Sequence, residues 1–107
     1  ALNPATSVDL LVPVLHDVDV VTLLAVDPGW SGGVPDAALG RKIERLRRLA
    51  AETGADPLIA IDGGITEATI GIAAGFRPDI IVSGSAVFKS GASIAANLEG
   101  LRRAAGL

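Results

Sequence analysis

The segment "LIAIDGGI", Leu58 to Ile65, shows the pattern on which the whole chain is built. A run of aliphatic residues without polar alternation ends at Asp62, and Gly63 and Gly64 follow at once. Short apolar runs bounded by turn residues are typical of strands that are buried on both faces of a parallel sheet. We therefore predict a strand over Leu58 to Ile61 and a turn directly after it.

Two more aliphatic runs end in the same way. "VDVVTLLAV", Val18 to Val26, stops at the glycine-rich "DPGWSGG", and "IIVS", Ile80 to Ser83, stops at Gly84-Ser85. Both are predicted strands, because β-branched runs bounded by glycine favour that structure. The first residues, Ala1-Leu2-Asn3, have the character of the end of a further strand.

Segments with helical periodicity separate these strands. The clearest begins at Pro35 and ends at Gly54, with aliphatic residues three or four positions apart on one face; they are Leu39, Ile43, Leu46 and Leu49. Thr66 is predicted to cap a second helix that runs to about Ala74 and is closed by Gly75.

Two shorter helices are predicted near the ends of the chain. A cap at Thr6 or Ser7 opens a short helix in which Pro13 fits poorly, because proline has no backbone N–H. The last helix begins near Ser90 or Ala92 and places three apolar residues on one face; they are Ile94, Leu98 and Leu101. Strands that alternate with helices predict an α/β fold with a parallel sheet, and 107 residues are enough for a single domain, residues 1–107.

Composition excludes several classes of partner. The formal net charge is −3, which provides no basic field for nucleic acid or an anionic membrane. The chain has no cysteine, and so no disulfides or thiolate metal ligands. No apolar run approaches the length of a membrane span. We expect a cytoplasmic protein without nucleic-acid or membrane partners.

The candidate chemistry lies at the strand ends. All three glycine-rich loops follow the carboxyl end of a predicted strand, which is where parallel α/β proteins bind ligands. Glycine leaves the backbone N–H groups accessible, and a following helix adds partial positive charge, so phosphate is the expected ligand. From its position alone, Asp62 is equally consistent with a functional carboxylate and with a turn cap. Asp27 is interpreted as part of an Asp-Pro-Gly turn.

Four motifs resemble a known family. "ALNPAT", "VDPGWSGG", "AIDGGI" and "VSGSAVF", in this order and spacing, closely resemble the carboxyl-terminal half of ribulose-phosphate 3-epimerase, a TIM-barrel enzyme of the pentose phosphate pathway and Calvin cycle. The resemblance implies a half-barrel made of the last four strands of a (β/α)8 barrel, with the first of the four represented only by its end at Ala1-Leu2-Asn3.

The resemblance also implies roles for individual residues. Asp62 would bind a divalent metal, zinc first with iron, manganese or cobalt as alternatives. It would also be one of two Asp residues that exchange the proton at C3 of a sugar phosphate, converting D-ribulose 5-phosphate to D-xylulose 5-phosphate. The substrate phosphate would be bound by five residues of the glycine loops: Gly32, Gly63, Gly64, Gly84 and Ser85.

Some residues depart from the family pattern. Gly29-Trp30-Ser31-Gly32-Gly33 stands where the family usually has Gly-Phe-Gly-Gly-Gln. A branch that acts on allulose phosphate begins this loop with Asp-Pro-Gly, as Asp27 does here, which leaves the sugar open between the two. The resemblance assigns two His and an Asp as further metal ligands in the first half of the barrel, whereas His16 is the only histidine here.

These departures lead to an expectation about the chain and leave three functions open. We expect the 107 residues alone to be inactive and to pair with the missing barrel half or with a second copy as a homo-oligomer. The first function is an epimerase whose amino-terminal half is not part of this sequence. The second is a phosphate-binding half-barrel without catalysis. The third is another phosphate-binding TIM barrel, such as an isomerase or synthase of histidine or tryptophan synthesis.

Overall fold

A computed structural model describes residues 1–26 and 35–107 of the chain. Within these ranges one 3-10 helix, three strands and three α-helices follow one another. They are the 3-10 helix Val8–Asp17, β1 Val20–Leu24, α1 Ala37–Thr53, β2 Leu58–Asp62, α2 Ile70–Gly75, β3 Ile80–Val82 and α3 Ile94–Ala104. The α/β class is confirmed.

The three strands form one parallel sheet in the order β1-β2-β3. The register places Leu24 beside Asp62 and Asp62 beside Val82. Leu2 extends the sheet on the far side of β1: its N–H donates to the Thr22 carbonyl at 2.9 Å, and its carbonyl accepts from the Leu24 N–H at 2.9 Å. The first residues therefore add a short parallel bridge beside β1, where the sequence predicted the end of a strand.

The two faces of this sheet have different surroundings. One face packs under the helices, and its aliphatic side chains belong to the buried core; they are Val21, Leu23, Ile59 and Ile61. On the opposite face, Val20, Leu58 and Val82 are 44%, 48% and 40% exposed. Ala60 on that face is buried, because it is short and lies between two paired strands. The sheet thus has one covered face and one open apolar face.

Helix α1 follows the prediction closely. The Asp36 carboxylate caps it by accepting from the N–H groups of Ala38 at 3.0 Å and Leu39 at 3.2 Å. The four residues of the predicted apolar face are buried. Gly54 ends the helix with φ +73°, a left-handed conformation that glycine adopts without steric cost. The buried residues of this helix belong to the same core as the covered face of the sheet.

The predicted start of α2 is wrong. A turn at residues 67–69 separates Thr66 from the first helical residue, Ile70, and among the described residues the Thr66 hydroxyl accepts from no backbone N–H of that turn. The helix begins at Ile70, after Thr69, whose hydroxyl is bonded elsewhere. Gly75 is the last helical residue, close to the predicted end.

The predicted start and buried face of α3 also need correction. The helix begins at Ile94 rather than near Ser90 or Ala92, because the Ser93 hydroxyl accepts from the Ala96 N–H at 3.1 Å and fixes the cap there. Of the three residues predicted to form its apolar face, Leu101 is buried, whereas Ile94 and Leu98 are exposed. The buried side of the helix contains Asn97 and Gly100 instead.

The remaining differences concern the bounds of elements. At the amino end Ser7, one of the two predicted caps, accepts from the Asp9 N–H, and the helix is of the 3-10 type with Pro13 inside it. The 3-10 form is consistent with a sequence in which proline removes a donor. Strand β1 is shorter than the predicted Val18 to Val26, and β3 ends one residue before Ser83. In residues 1–26 and 35–107, no helix has the length and hydropathy to cross a membrane.

Candidate functional site at the carboxyl edge of the sheet

The site is built at the edge where the parallel strands end. Asp62 is the last residue of β2 and is partly buried. Because side chains alternate along a strand, its carboxylate is on the same face as Leu58 and Ala60, which is the open apolar face. A carboxylate therefore lies at the end of an uncovered aliphatic surface.

The Asp62 carboxylate differs from the structural carboxylates of the chain. Asp36 caps α1, and Asp79 accepts from the Ile59 N–H at 2.8 Å and pairs with Arg47 at 3.6 Å. With the residues that the structure describes, the Asp62 side chain makes neither a hydrogen bond nor an ion pair. In the described part of the chain, the Asp62 carboxylate therefore has no backbone N–H partner that would make it a turn cap.

The glycines after Asp62 make a tight turn against the end of β1. Gly63 has φ +111° and Gly64 has φ +69°. A Cβ on Gly63 would lie 2.9 Å from Cγ2 of Val26 and 3.3 Å from its backbone nitrogen. Both conformation and space therefore require glycine at position 63.

Two side-chain hydroxyls fix this turn by hydrogen bonds to its backbone. Thr69 Oγ1 donates to the Gly64 carbonyl at 2.6 Å and accepts from the Thr66 N–H at 2.9 Å. Ser83 Oγ donates to the Ile65 carbonyl at 3.0 Å. The carbonyl groups of Gly64 and Ile65 are thus both fixed by hydrogen bonds.

The loop after β3 presents backbone donors at the same edge. The Gly84 carbonyl accepts from the N–H groups of Val87 at 3.0 Å and Phe88 at 3.1 Å, which closes one helical turn. The N–H groups of Ser85 and Ala86, at the start of that turn, donate to no acceptor within the described ranges. A Cβ on Gly84 would meet nothing within 4 Å, so open space adjoins the residue directly before these donors, although Ala86 itself is buried. Free N–H groups beside open space are a suitable arrangement for an anion.

A lysine that the sequence analysis did not single out holds a third loop at this edge. Lys42 of α1 donates from Nζ to the carbonyls of Asn3 at 3.0 Å and Pro4 at 3.1 Å. These residues follow Leu2, so the contact fixes the loop after the bridge beside β1. Partial burial lowers the pKa of the Lys42 ammonium. Its sequence position, among exposed basic residues of α1, gave no signal for this role.

The structure brings four of the five predicted phosphate residues to one edge. Gly63 and Gly64 follow β2, Gly84 and Ser85 come shortly after β3, and the register aligns the two strand ends. Gly32 lies outside the described residues, as do Asp27 and Trp30.

The described residues do not form a metal site by themselves. Across residues 1–26 and 35–107, no three His, Cys, Asp or Glu side chains cluster in a way that could hold an ion. Asp62 supplies one carboxylate, and zinc sites in proteins need at least three protein ligands. A divalent metal at Asp62 would require ligands from other residues.

A cavity of about 490 Å³ lies elsewhere, between β3, α2 and α3. Ile70, Ile81, Ser83 and Leu101 are among the residues that line it, and Asp62 is not. It belongs to the helix-covered side of the sheet and adjoins the candidate site at Ser83.

Fold and geometry together define a parallel α/β protein whose candidate ligand site, one carboxylate with glycine-rich loops, lies at the carboxyl edge of the sheet. Comparison with known proteins gives the family. The family model described as "Ribulose-phosphate 3 epimerase family" matches residues 1–88. The chain belongs to this family.

Individual relatives agree with the family match. A ribulose-phosphate 3-epimerase of Methanocaldococcus jannaschii is 39% identical over 82% of this chain and 38% of its own length. The chloroplastic ribulose-5-phosphate-3-epimerase of Arabidopsis thaliana is 38% identical over 81% of this chain and 31% of its own length. A putative epimerase, LsrE, of Salmonella paratyphi B is 35% identical over 83% of this chain and 35% of its own length. The match thus spans between 31% and 38% of these relatives.

Proposed function

We propose that this chain is the carboxyl-terminal half-barrel of a cytoplasmic epimerase that inverts C3 of a ketose phosphate and converts D-ribulose 5-phosphate to D-xylulose 5-phosphate. Family membership supports the class of reaction. The observation that carries the proposal is the position of Asp62, a carboxylate without a described partner, at the end of the open apolar face of the sheet.

The open face has the character of a barrel interior. In (β/α)8 barrels the inward side chains of the strands are aliphatic and fill the barrel in layers, while helices cover the outside. Here Val20 and Leu58 are neighbours in register, and Ile80 and Val82 continue the same surface on β3. All four are exposed. In the proposed barrel they face the strands of the missing half, and Asp62 lies at the catalytic end.

The proposed reaction assigns one proton transfer to Asp62. The Asp62 carboxylate takes the proton from C3 of the substrate, the C–H electron pair moves toward the neighbouring carbonyl, and an enediolate forms. A second acid, supplied by residues outside this chain, returns a proton to the opposite face of C3 and so inverts it. Such acid–base steps typically contribute about 10²–10⁴-fold to the rate.

The proposed phosphate site uses backbone donors of the glycine loops. Gly63, Gly64, Gly84 and Ser85 supply it from the edge described above, and Gly32 is proposed to join them from the loop after β1. Anions bind well to N–H groups at the start of a helical turn, because several donors point the same way.

The proposed divalent metal, zinc or alternatively iron, manganese or cobalt, is assigned one ligand in this chain, Asp62. The remaining ligands would come from the missing half, since the described residues provide no cluster for them. No step of the proton transfer above depends on this assignment.

The test is the substitution Asp62→Asn in the complete polypeptide that contains this sequence. We expect the rate of C3 proton exchange with deuterated solvent, followed by nuclear magnetic resonance, to fall by about 10²-fold or more, while binding of inorganic phosphate is retained. Asp56→Asn is the matched control, because Asp56 is an exposed carboxylate that precedes β2 at the opposite end. Exchange at the wild-type rate in Asp62→Asn would contradict the proposal.

Two alternatives rest on particular observations. The Asp27-Pro28-Gly29 loop start favours allulose 6-phosphate as the substrate, and comparison of kcat/KM for the two sugar phosphates distinguishes them.

The absence of a three-ligand cluster in the described ranges favours a phosphate-binding half-barrel without catalysis. Phosphate binding without C3 exchange in the complete wild-type polypeptide would support that alternative.

A further inference from the structure

One side-chain hydrogen bond joins the two loops that we assign to the phosphate. Ser83 Oγ donates to the Ile65 carbonyl at 3.0 Å. Ser83 directly precedes Gly84, and Ile65 directly follows Gly64. The Glu67–Lys89 ion pair also links the loops, at 3.7 Å, but both side chains are about half exposed, and exposed pairs contribute little. The Ser83 bond is the closer of the two links to the glycines.

This bond controls the direction of a peptide group. In a trans peptide the carbonyl and the following N–H point in opposite directions. Thr69 holds the Gly64 carbonyl and Ser83 holds the Ile65 carbonyl, so neither peptide is free to rotate. A carbonyl oxygen turned toward the site would repel an anion, since it carries partial negative charge. The two hydroxyls therefore fix the Gly64 and Ile65 carbonyls, and the Thr66 N–H that follows the second carbonyl donates to Thr69 Oγ1 rather than to a ligand. The contribution of the Ser83 bond is to hold Ile65, next to Gly64, at a fixed distance from Ser83, next to Gly84.

Ser83 is on the helix-covered side of the sheet. It lines the cavity between β3, α2 and α3, together with Ile81, which is on the helix-covered face. Its neighbour Val82 is on the open face that carries Asp62. The hydroxyl is thus placed to orient the loops without contact with the substrate.

We propose that Ser83 is a positioning residue of the phosphate site, whose hydroxyl fixes the spacing between the Gly63-Gly64 turn and the Gly84-Ser85 turn. This inference rests on the proposed function. The occupant is the phosphate group of the substrate, for which inorganic phosphate is the probe.

The experiment compares variants of the complete polypeptide that differ in one hydroxyl. Ser83→Ala and Ser83→Val remove it, and Ser83→Thr keeps it in a side chain of the same shape as valine. Ser90→Ala is the control, because Ser90 is an exposed serine in the same connection between β3 and α3. The readouts are the inhibition constant of inorganic phosphate, KM and kcat.

We expect Ser83→Ala and Ser83→Val to raise both KM and the phosphate inhibition constant by about three- to tenfold, as for a lost hydrogen bond that positions donors. The value of kcat should stay within about twofold, and Ser83→Thr and Ser90→Ala should behave like the wild type. A merely structural hydroxyl would change thermal stability without this split between KM and kcat.

Two results would overturn the inference in different ways. Unchanged phosphate inhibition in Ser83→Val, with the wild type inhibited normally, would reject the role of Ser83 and leave the phosphate site in place. A wild-type protein that does not bind phosphate would reject the phosphate site of the proposed function, and this inference with it.

Discussion

At the scale of single residues, the glycines of the candidate site are required for different reasons. Gly63 has a positive φ, and a Cβ there would collide with Val26, so the fold itself excludes other residues. Gly84 has neither constraint: a Cβ would enter open space. The fold therefore does not explain a glycine at position 84, whereas a ligand that approaches the backbone would.

This difference predicts the behaviour of Gly84→Ala. The variant should be as stable as the wild type or up to about 1 kcal/mol more stable, because alanine restricts the unfolded chain. Its affinity for inorganic phosphate should fall by about tenfold or more, which corresponds to about 1.4 kcal/mol. The reason is that the added methyl group would occupy space in the proposed phosphate site. Titration calorimetry and denaturant unfolding measure the two quantities.

The control for this prediction is Gly75→Ala. A Cβ on Gly75 also meets nothing within 4 Å, but this residue ends α2 and is not among the residues assigned to the phosphate site. Phosphate affinity should be unchanged in this variant. Equal affinities in Gly84→Ala and the wild type would mean that no anion approaches Gly84.

At the scale of elements, periodicity predicted which segments are helices and strands, and side-chain hydrogen bonds decided where α1 and α3 begin. Helix α1 was predicted well because Asp36 caps it, Gly54 ends it and four aliphatic residues define its face. The predicted start of α2 was wrong because a turn at residues 67–69 comes between Thr66 and the helix, and that of α3 because Ser93 is the residue that caps it. Several threonines and serines in these segments offered equivalent caps, and the sequence does not rank them.

The candidate site, too, could be predicted from the sequence only in part. The strand ends and glycine loops were predictable, because parallel strands bring their carboxyl ends to one edge. The contacts that hold the loops were not, since Ser83 and Lys42 act on backbone carbonyls far away in sequence. Such contacts depend on the tertiary arrangement and have no local pattern.

The cap of α1 predicts a stability difference. Asp36→Ala removes the acceptor of two backbone N–H groups and should lower the free energy of unfolding by about 1 kcal/mol, within the usual range of about 0.5–2 kcal/mol. Asp36→Asn keeps an oxygen acceptor and should recover most of this loss. Denaturant unfolding of the complete polypeptide measures both. An equal loss in the two variants would show that the negative charge, rather than the hydrogen bonds, stabilises the helix.

At the scale of the whole molecule, one face of the sheet is open in the part of the chain that the structure describes. Its principal extents are 46 × 27 × 23 Å, and its radius of gyration is 14.3 Å, against about 13 Å for a compact domain of this length. Val20, Leu58, Ile80 and Val82 form an apolar surface without a covering layer in the described structure. Contiguous apolar surfaces of this kind are normally buried against another part of the protein. We propose that this surface is the inner wall of a barrel that other strands complete.

The molar mass of a polypeptide of only these 107 residues, measured by light scattering after size-exclusion chromatography, tests this claim most directly. The open face and the sheet edge at β3 should drive association, so we predict species well above the 10.8 kDa of one chain. Replacing Leu58, which is on the open face, by lysine should shift the distribution toward the monomer, while lysine in place of Leu10, exposed on the 3-10 helix, should not. A monodisperse monomer of 10.8 kDa for the unaltered chain would contradict the account.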